Sequence, residues 1–309
     1  MYIGIDLGGT NIAAGIVTKD LKIIDQDSRP TLLPREHDEI VKDMAELCFD
    51  LLERNNLKVS DIESIGIGSP GAIDSVNGIA VFSNNFRWDN YPLPEKLREY
   101  IDVPITVEND ANAAAYGEYL VSGEGTDSFI AITLGTGIGG GIILDKKIYR
   151  GFNGAGGEIG HTPLIYGGIE CNCDNSGCWE RYASVTALIQ QTKDAIKENP
   201  TSLMAKSEKV SGRTSFDAAK QGDEAAQKVV DKYIEYVAAG VAGIINMFQP
   251  EIIVIGGGIS KEGDYLLDPI REYAKKHTYG SHNLPLTKIK IATLMNDAGI
   301  IGAALSSVR

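Results

Sequence analysis

The chain has 309 residues, enough for two domains at roughly 100–200 residues each. Its 29 lysines and arginines face 42 aspartates and glutamates, and the net charge of −13 excludes a broad nucleic-acid-binding face, which needs cations. The 43% hydrophobic and 23% charged residues are ordinary globular values, so wholesale disorder is excluded and the 35 glycines ask for a local explanation.

The start, MYIGIDLGGT, has no basic flank, apolar stretch and cleavage site, so no signal peptide is expected. No run reaches ~18 apolar residues, so no transmembrane helix is expected either, and the cytoplasm is the expected compartment. Tyr2 to Leu7 is predicted as a strand ending in Gly8-Gly9, with further strands over Ile12 to Val17 and Leu21 to Asp27. Glu36 to Asn55 has the apolar spacing of an amphipathic helix, at Ile40, Val41, Met44, Leu47, Cys48, Leu51 and Leu52. Strands are predicted over Ser64 to Gly68 and Pro104 to Val107, the second running into Glu108-Asn109-Asp110 and a helix from Ala111 to about Leu120. Phe129 to Leu144 reads as strand, glycine turn, strand. Asp223 to Met247 reads as a long buried helix, Glu251 to Ile255 as a strand entering Gly256-Gly257-Gly258, and Ile289 to Ala292 as a last strand before a helix from Ala298. Strands alternate with helices, so the class is α/β.

One repeat stands out. YIGIDLGGTNIAAGIV (Tyr2 to Val17) aligns without a gap on FIAITLGTGIGGGIIL (Phe129 to Leu144), an offset of 127 residues and the scale of a domain. Both are strand, glycine-threonine turn, strand. Glycine there permits positive φ and close approach to a ligand, and successive N–H groups can form an anion-binding concavity. Thr10 and Thr136 add hydroxyl donors, and Asp6 can hold a metal-bound water. A third turn, IIVIGGGIS, is a plausible seat for a nucleoside. Neither a Walker pattern nor a dinucleotide fingerprint is present.

Asp110 opens a helix just past a strand. Asn109 or Asp110 can cap that helix, and a carboxylate there can equally serve as a general base. Phosphoryl transfer needs positioning, charge stabilisation and one group to orient the nucleophile. Cys48 sits alone in a helical pattern and reads as a buried small hydrophobe. His161, Cys171, Cys173 and Cys178 form a closed Cys3His set, suited to structural Zn2+. Free thiols and an iron–sulfur site are the other readings. Glu158 and Glu180 are acceptors that match a polyhydroxylated ligand.

MYIGIDLGGTN, VENDANAAAYGE, TLGTGIGGGII, GGEIGH and CNCDNSGCWE follow one another as in the ROK family of bacterial sugar kinases, which the chain resembles nearly end to end. The resemblance is strongest to its glucokinases. It implies a two-domain actin/hexokinase-like (ribonuclease H-like) α/β fold with a central cleft and a zinc loop. It implies a small domain over 1–118 plus 297–309 and a large one over 119–296. By that likeness Asp6, Gly8, Gly9, Thr10 and Asn11 serve one phosphate segment, Thr133, Gly135, Thr136 and Gly137 a second, and Gly256, Gly257 and Gly258 lie by the adenosine. Asp110 becomes the base for a sugar 6-hydroxyl, with Gly71, Asn84, Asn85, Asn109, Glu158, His161 and Glu180 lining the sugar. Asp174 stands where the family usually has glycine, and Arg87 where it often has a small residue or proline.

The implied activity is ATP-dependent phosphorylation of glucose with Mg2+. Mannose, fructose, N-acetylmannosamine or N-acetylglucosamine are the alternative sugars, and polyphosphate an alternative donor. A homodimer or homotetramer is implied. Sugar-responsive repressors also belong to this family, but they carry a helix-turn-helix before the phosphate motif, whereas here the first phosphate strand begins at residue 2. The phosphate motifs hold no lysine or arginine, so strict Mg2+ dependence is expected.

Overall fold

The computed structural model describes residues 1–83 and 85–306. Contacts group Met1–Ala131, Gly141–Gly157 and the chain from Thr293 onward into one compact unit, and Ile132–Gly140 with Glu158–Ala292 into a second. The segments 1–118 and 297–309 drawn from the sequence lie in the first unit, which also takes in 119–131, 141–157 and 293–296.

The first unit opens with β1 (Tyr2–Leu7), β2 (Asn11–Val17), β3 (Ile23–Pro30) and α1 (His37–Arg54). β4 (Ser64–Ser69) leads to β5 (Ala72–Asp74), β6 (Ile79–Ser83) and β7 (Trp88–Tyr91), then α2 (Leu93–Arg98), β8 (Ile105–Asn109) and α3 (Asp110–Ser122). The chain continues through β9 (Ser128–Leu134), β10 (Ile138–Leu144), β11 (Lys147–Ile148), α4 (Glu180–Ala183), α5 (Val185–Glu198), α6 (Thr214–Ala219) and α7 (Glu224–Phe248). β12 (Ile252–Gly256), α8 (Asp264–His277), β13 (Lys288–Ile291) and α9 (Ala298–Ser306) complete it.

Two five-stranded sheets have the same plan. One runs β3-β2-β1-β4-β8 and the other β11-β10-β9-β12-β13, so β1 matches β9, and β4 matches β12. The repeat seen in the sequence is therefore a repeat of whole sheets. In the first, β1 pairs antiparallel with β2 and parallel with β4, and β4 pairs parallel with β8.

Helices cover both faces of the first sheet. Ile3, Ile5, Ile65 and Val107 pack with Ile40, Met44, Leu47 and Leu51 of α1 and with Leu93 and Leu97 of α2. On the other face Tyr2 and Val17 meet Ile300, Ile301, Ala304 and Leu305 of α9. This last helix lies flush on the strands. A Cβ at Gly66 would stand 1.8 Å from the Ala303 carbonyl oxygen, and one at Gly302 would stand 1.7 Å from that of Ala113. The turn into α9 is held by Glu118, 3% exposed, whose carboxylate accepts the N–H groups of Thr293 at 2.9 Å, Leu294 at 2.7 Å and Met295 at 3.3 Å.

The predicted elements are found with shifts of a few residues at their ends. β8 runs on through Asn109, so Glu108 is a strand residue. The three-stranded sheet β5-β6-β7 is absent from the sequence prediction, because its short strands are separated by turn residues.

Candidate active site and metal centre

The first unit gathers the acids. In register across three strands, Asp6 of β1 faces Gly68 of β4, and Gly68 faces Glu108 of β8, two residues before Asp110. Gly68 matters because a Cβ there would lie 3.3 Å from the Ala113 methyl and 3.6 Å from the Asp110 Cα. Burial, and then the charge of Asp110, push the Asp6 carboxyl up to about 6. Burial also raises Asp110, against the pull of the Ala111 N–H, which donates to its Oδ1 at 2.8 Å. Asp6 also packs against α9, where a Cβ at Gly299 would come within 2.7 Å of its Oδ2.

Asn109 is the helix cap. Its Oδ1 accepts the Asn112 N–H at 3.1 Å, and its Nδ2 donates to the Gly71 carbonyl at 3.1 Å. Asp110 is thus the first helical residue and is not consumed as the cap. Gly71 has φ +108, and a Cβ there would meet the Phe82 carbonyl at 2.1 Å. The turn at Gly8, Gly9 and Thr10 is closed by Gly8 N–H to Asn11 O at 2.9 Å and by Thr31, whose hydroxyl donates to Gly8 O at 2.6 Å. Asn11 is the first residue of β2 and is exposed. Asn85 reaches this turn, since a Cβ at Gly9 would lie 3.5 Å from its Nδ2. Asn84 lies outside the described residues. Arg87, in the same turn region, has φ +54.

The second unit gathers the other two turns with Glu158, His161 and Glu180. Thr133 is exposed near the end of β9. The Gly135 carbonyl accepts the Val185 N–H at 2.9 Å, and the Thr136 carbonyl accepts the Thr186 hydroxyl at 2.7 Å, which docks this turn on the start of α5. A Cβ at Gly137 would fall 2.5 Å from Glu180 Oε2, so turn and carboxylate are neighbours. Gly256 ends β12, and Gly257 abuts the Leu134 carbonyl, 2.1 Å from where its Cβ would be. The space beside Gly258 is open. Positive φ is the expected use of glycine in these turns. Only Gly257 shows it, at +90; at Gly8 and Gly137 the missing Cβ serves close approach, and at Gly135 and Gly258 the space is open.

Glu158 precedes a 3-10 turn over Ile159–His161, where the His161 N–H donates to the Glu158 carbonyl at 3.1 Å. The ligand atoms of His161, Cys171, Cys173 and Cys178 all lie within 4.8 Å of one another. Cys173 and Cys178 sulfurs are 3.6 Å apart, and Cys171 Sγ is 3.7 Å from His161 Nδ1. Tetrahedral ligands at ~2.3 Å from a metal stand about 3.8 Å from each other, whereas a disulfide spans about 2.05 Å. The four residues therefore fit a tetrahedral ion. Asp174 takes the left-handed conformation, φ +65, that its usual glycine would supply, and Gly177 follows at +83. Cys171 also stands 3.3 Å from Glu180 Oε1, which links the cluster to the residue beside Gly137.

The sequence profile of the ROK family matches residues 2–307. The chain belongs to the ROK family. It is 40% identical to a glucokinase of Thermotoga maritima over 98% of this chain and 95% of that protein. A crystal structure of a ROK family glucokinase from Streptomyces griseus, in complex with glucose and AMPPNP, is 36% identical with a TM-score of 0.81, covering 98% of this chain and 97% of that one. A xylose repressor of Caldicellulosiruptor bescii is 31% identical over 97% of this chain but only 76% of the repressor. The fold of this ROK protein is accordingly of the actin- and hexokinase-like α/β type.

Two buried or half-buried residues of this ROK chain, Glu108 and Arg150, are not singled out by the sequence as site residues. Glu108 is 2% exposed and pairs with Arg150, whose Nε donates to Oε2 at 2.8 Å and whose Nη2 contacts the same oxygen. An acid inside the strand ITVEN is the one signal for a buried partner, since lone buried charges are not tolerated. The partner is 42 residues away, and no local pattern points to it.

Proposed function

We propose that the chain transfers the γ-phosphoryl group of ATP to the 6-hydroxyl of glucose, giving glucose 6-phosphate, with Asp110 as general base. The observation that carries this reading is a burial-raised carboxyl at the start of α3 in a chain similar over its length to a glucokinase crystallised with glucose and AMPPNP. Asp110 Oδ1 already accepts the Ala111 N–H, which leaves Oδ2 to take the hydroxyl proton. The raised pKa makes that carboxylate a better proton acceptor. Asn109, Gly71, Asn85, Glu158, His161 and Glu180 are the proposed sugar contacts. His161 turns Nδ1 to the cysteines, so Nε2 is left for a sugar hydroxyl.

Thr10, Thr136 and the backbone N–H groups of the glycine turns are the proposed phosphate contacts. They carry no cationic side chain, and Mg2+ bound with ATP would supply the charge neutralisation they lack. Asp6 is the proposed residue to hold that ion through water. His161, Cys171, Cys173 and Cys178 would hold a structural Zn2+, which pins a loop of small and polar residues and fixes the His161 ring. A cytoplasmic homodimer or homotetramer belongs to the same reading; among the described residues no helix is long and apolar enough to cross a membrane.

The test is ADP release across glucose, mannose, fructose, N-acetylmannosamine and N-acetylglucosamine. Glucose is expected to give the highest kcat/KM. Asp110→Asn is expected to lower kcat by about 10³-fold or more while glucose affinity stays within a few fold. Retained turnover in Asp110→Asn sinks the base assignment. For the metal, elemental analysis is expected to find zinc, and its removal to lower the melting temperature by several degrees. Full activity and unchanged melting in zinc-free protein would refute the structural role.

A further inference from the structure

We infer that Arg150 is a positioning residue for phosphoryl transfer, acting through Glu108 to hold the Asn109-Asp110 turn in place; this rests on the reading of Asp110 as the base. The Glu108 carboxylate is divided between two tasks. Oε2 receives both Nε and Nη2 of Arg150. Oε1 receives the backbone N–H of Asn109 at 3.1 Å and the Asn112 side-chain amide at 3.4 Å. One oxygen is thus neutralised by the guanidinium, and the other grips the residue before Asp110 and the residue two after it. Asn112 in turn gives its own N–H to Asn109 Oδ1. The turn that presents Asp110 is therefore tied from behind by one buried carboxylate.

Burying a carboxylate is costly unless a cation stands beside it. Among the described residues the cation given to it is Arg150, which stands just after β11 at the head of a tight glycine loop. The Arg150 carbonyl accepts the Gly156 N–H at 2.8 Å, and Gly151, Gly154 and Gly157 have φ of +68, +80 and +98. A Cβ at Gly154 would come within 2.6 Å of the Ile73 carbonyl, so the loop also lies close on β5. Glu158 follows this loop directly. One ion pair therefore anchors the segment bearing Asp110 and the start of the segment that leads into Glu158 and His161. Misplacement of a reacting group by about 1 Å can cost on the order of 100-fold in rate, which sets the effect to look for.

The experiment measures kcat, the KM values for glucose and ATP, and melting temperature for Arg150→Met, Arg150→Lys, and the double variant Arg150→Met with Glu108→Gln. Arg150→Met is expected to lower kcat about 100-fold, with the KM for ATP within about threefold. Arg150→Lys keeps the charge but not the two-donor grip and is expected to lose about tenfold in kcat. In the double variant the neutral amide introduced by Glu108→Gln can still accept the Asn109 N–H, and kcat is expected to recover at least about tenfold over Arg150→Met. A purely structural role would move melting temperature without this split between kcat and KM and without recovery of kcat. If Arg150→Met does not fold, Arg150→Lys decides. A kcat within about threefold of wild type in either single variant, or a double variant no faster than Arg150→Met, overturns the inference. Asp110→Asn measured alongside keeps the two readings apart. An inactive Asp110→Asn with an active Arg150→Met refutes only the role of Arg150, whereas an active Asp110→Asn refutes the base itself.

Discussion

The two glycine-turned hairpins, β1-β2 and β9-β10, occupy the same place in sheets of the same order, yet they have diverged in one respect that matters. At matched positions the first has Asp6 and the second Thr133. The first hairpin carries a half-buried acid beside Asp110, raised to about 6 by burial and by that neighbour. The second carries no acid and is fastened through Gly135 and Thr136 carbonyls to the start of α5. The duplicated frame has kept its glycine turn twice but its acid only once.

Exchanging the two side chains breaks this comparison most directly. Asp6→Asn is expected to lower kcat by about 10³-fold, the scale of removing a charge-stabilising group, and Thr133→Val by less than about tenfold. Equal losses in steady-state assays would mean that the hairpins are functionally alike. Next come the glycines. Gly302→Ala drives a methyl into the Ala113 carbonyl and is expected to cost about 3 kcal/mol in urea unfolding. Gly135→Ala, with nothing within 4 Å of the new methyl, is expected to stay within about 0.5 kcal/mol.

Smaller again is the pH effect of Asp6. Its folded pKa of about 6 lies above the ordinary value of 3.8, so between them the folded state binds more protons than the unfolded one. Stability therefore falls as pH rises through that window. Asp6→Asn lacks the penalty and is expected to gain on wild type by about 2 kcal/mol between pH 4 and 7, allowing for partial solvent exposure. A difference that does not change with pH would contradict this account of the carboxyl.

Much of this is legible in the sequence, for stated physical reasons. The helix over His37–Arg54 declares itself by its apolar spacing, and the matched sheets by the 127-residue repeat. The cysteines and His161 are readable as a ligand set from composition alone, and they do converge. What stays hidden depends on tertiary contact. Arg150 is one basic residue among glycines until Glu108 is brought to it. Phosphate, sugar and zinc chemistry do not account for all the glycine excess, because Gly66 and Gly302 let α9 lie against β4 and α3. The sign of φ in the phosphate turns also departs from expectation, because glycine permits positive values without requiring them.

The place of α9 has a consequence for biosynthesis. Asp6 is translated long before the helix that packs against it at Gly299. Until then one face of the first sheet, with Tyr2 and Val17, lacks its cover. Domains generally fold as units during synthesis, N-terminal parts first, but this unit cannot. A nascent chain stalled before Ala298 lacks the helix that packs on Tyr2, Val17 and Asp6. The last helix made is therefore the one that closes the face of the first sheet behind Asp6.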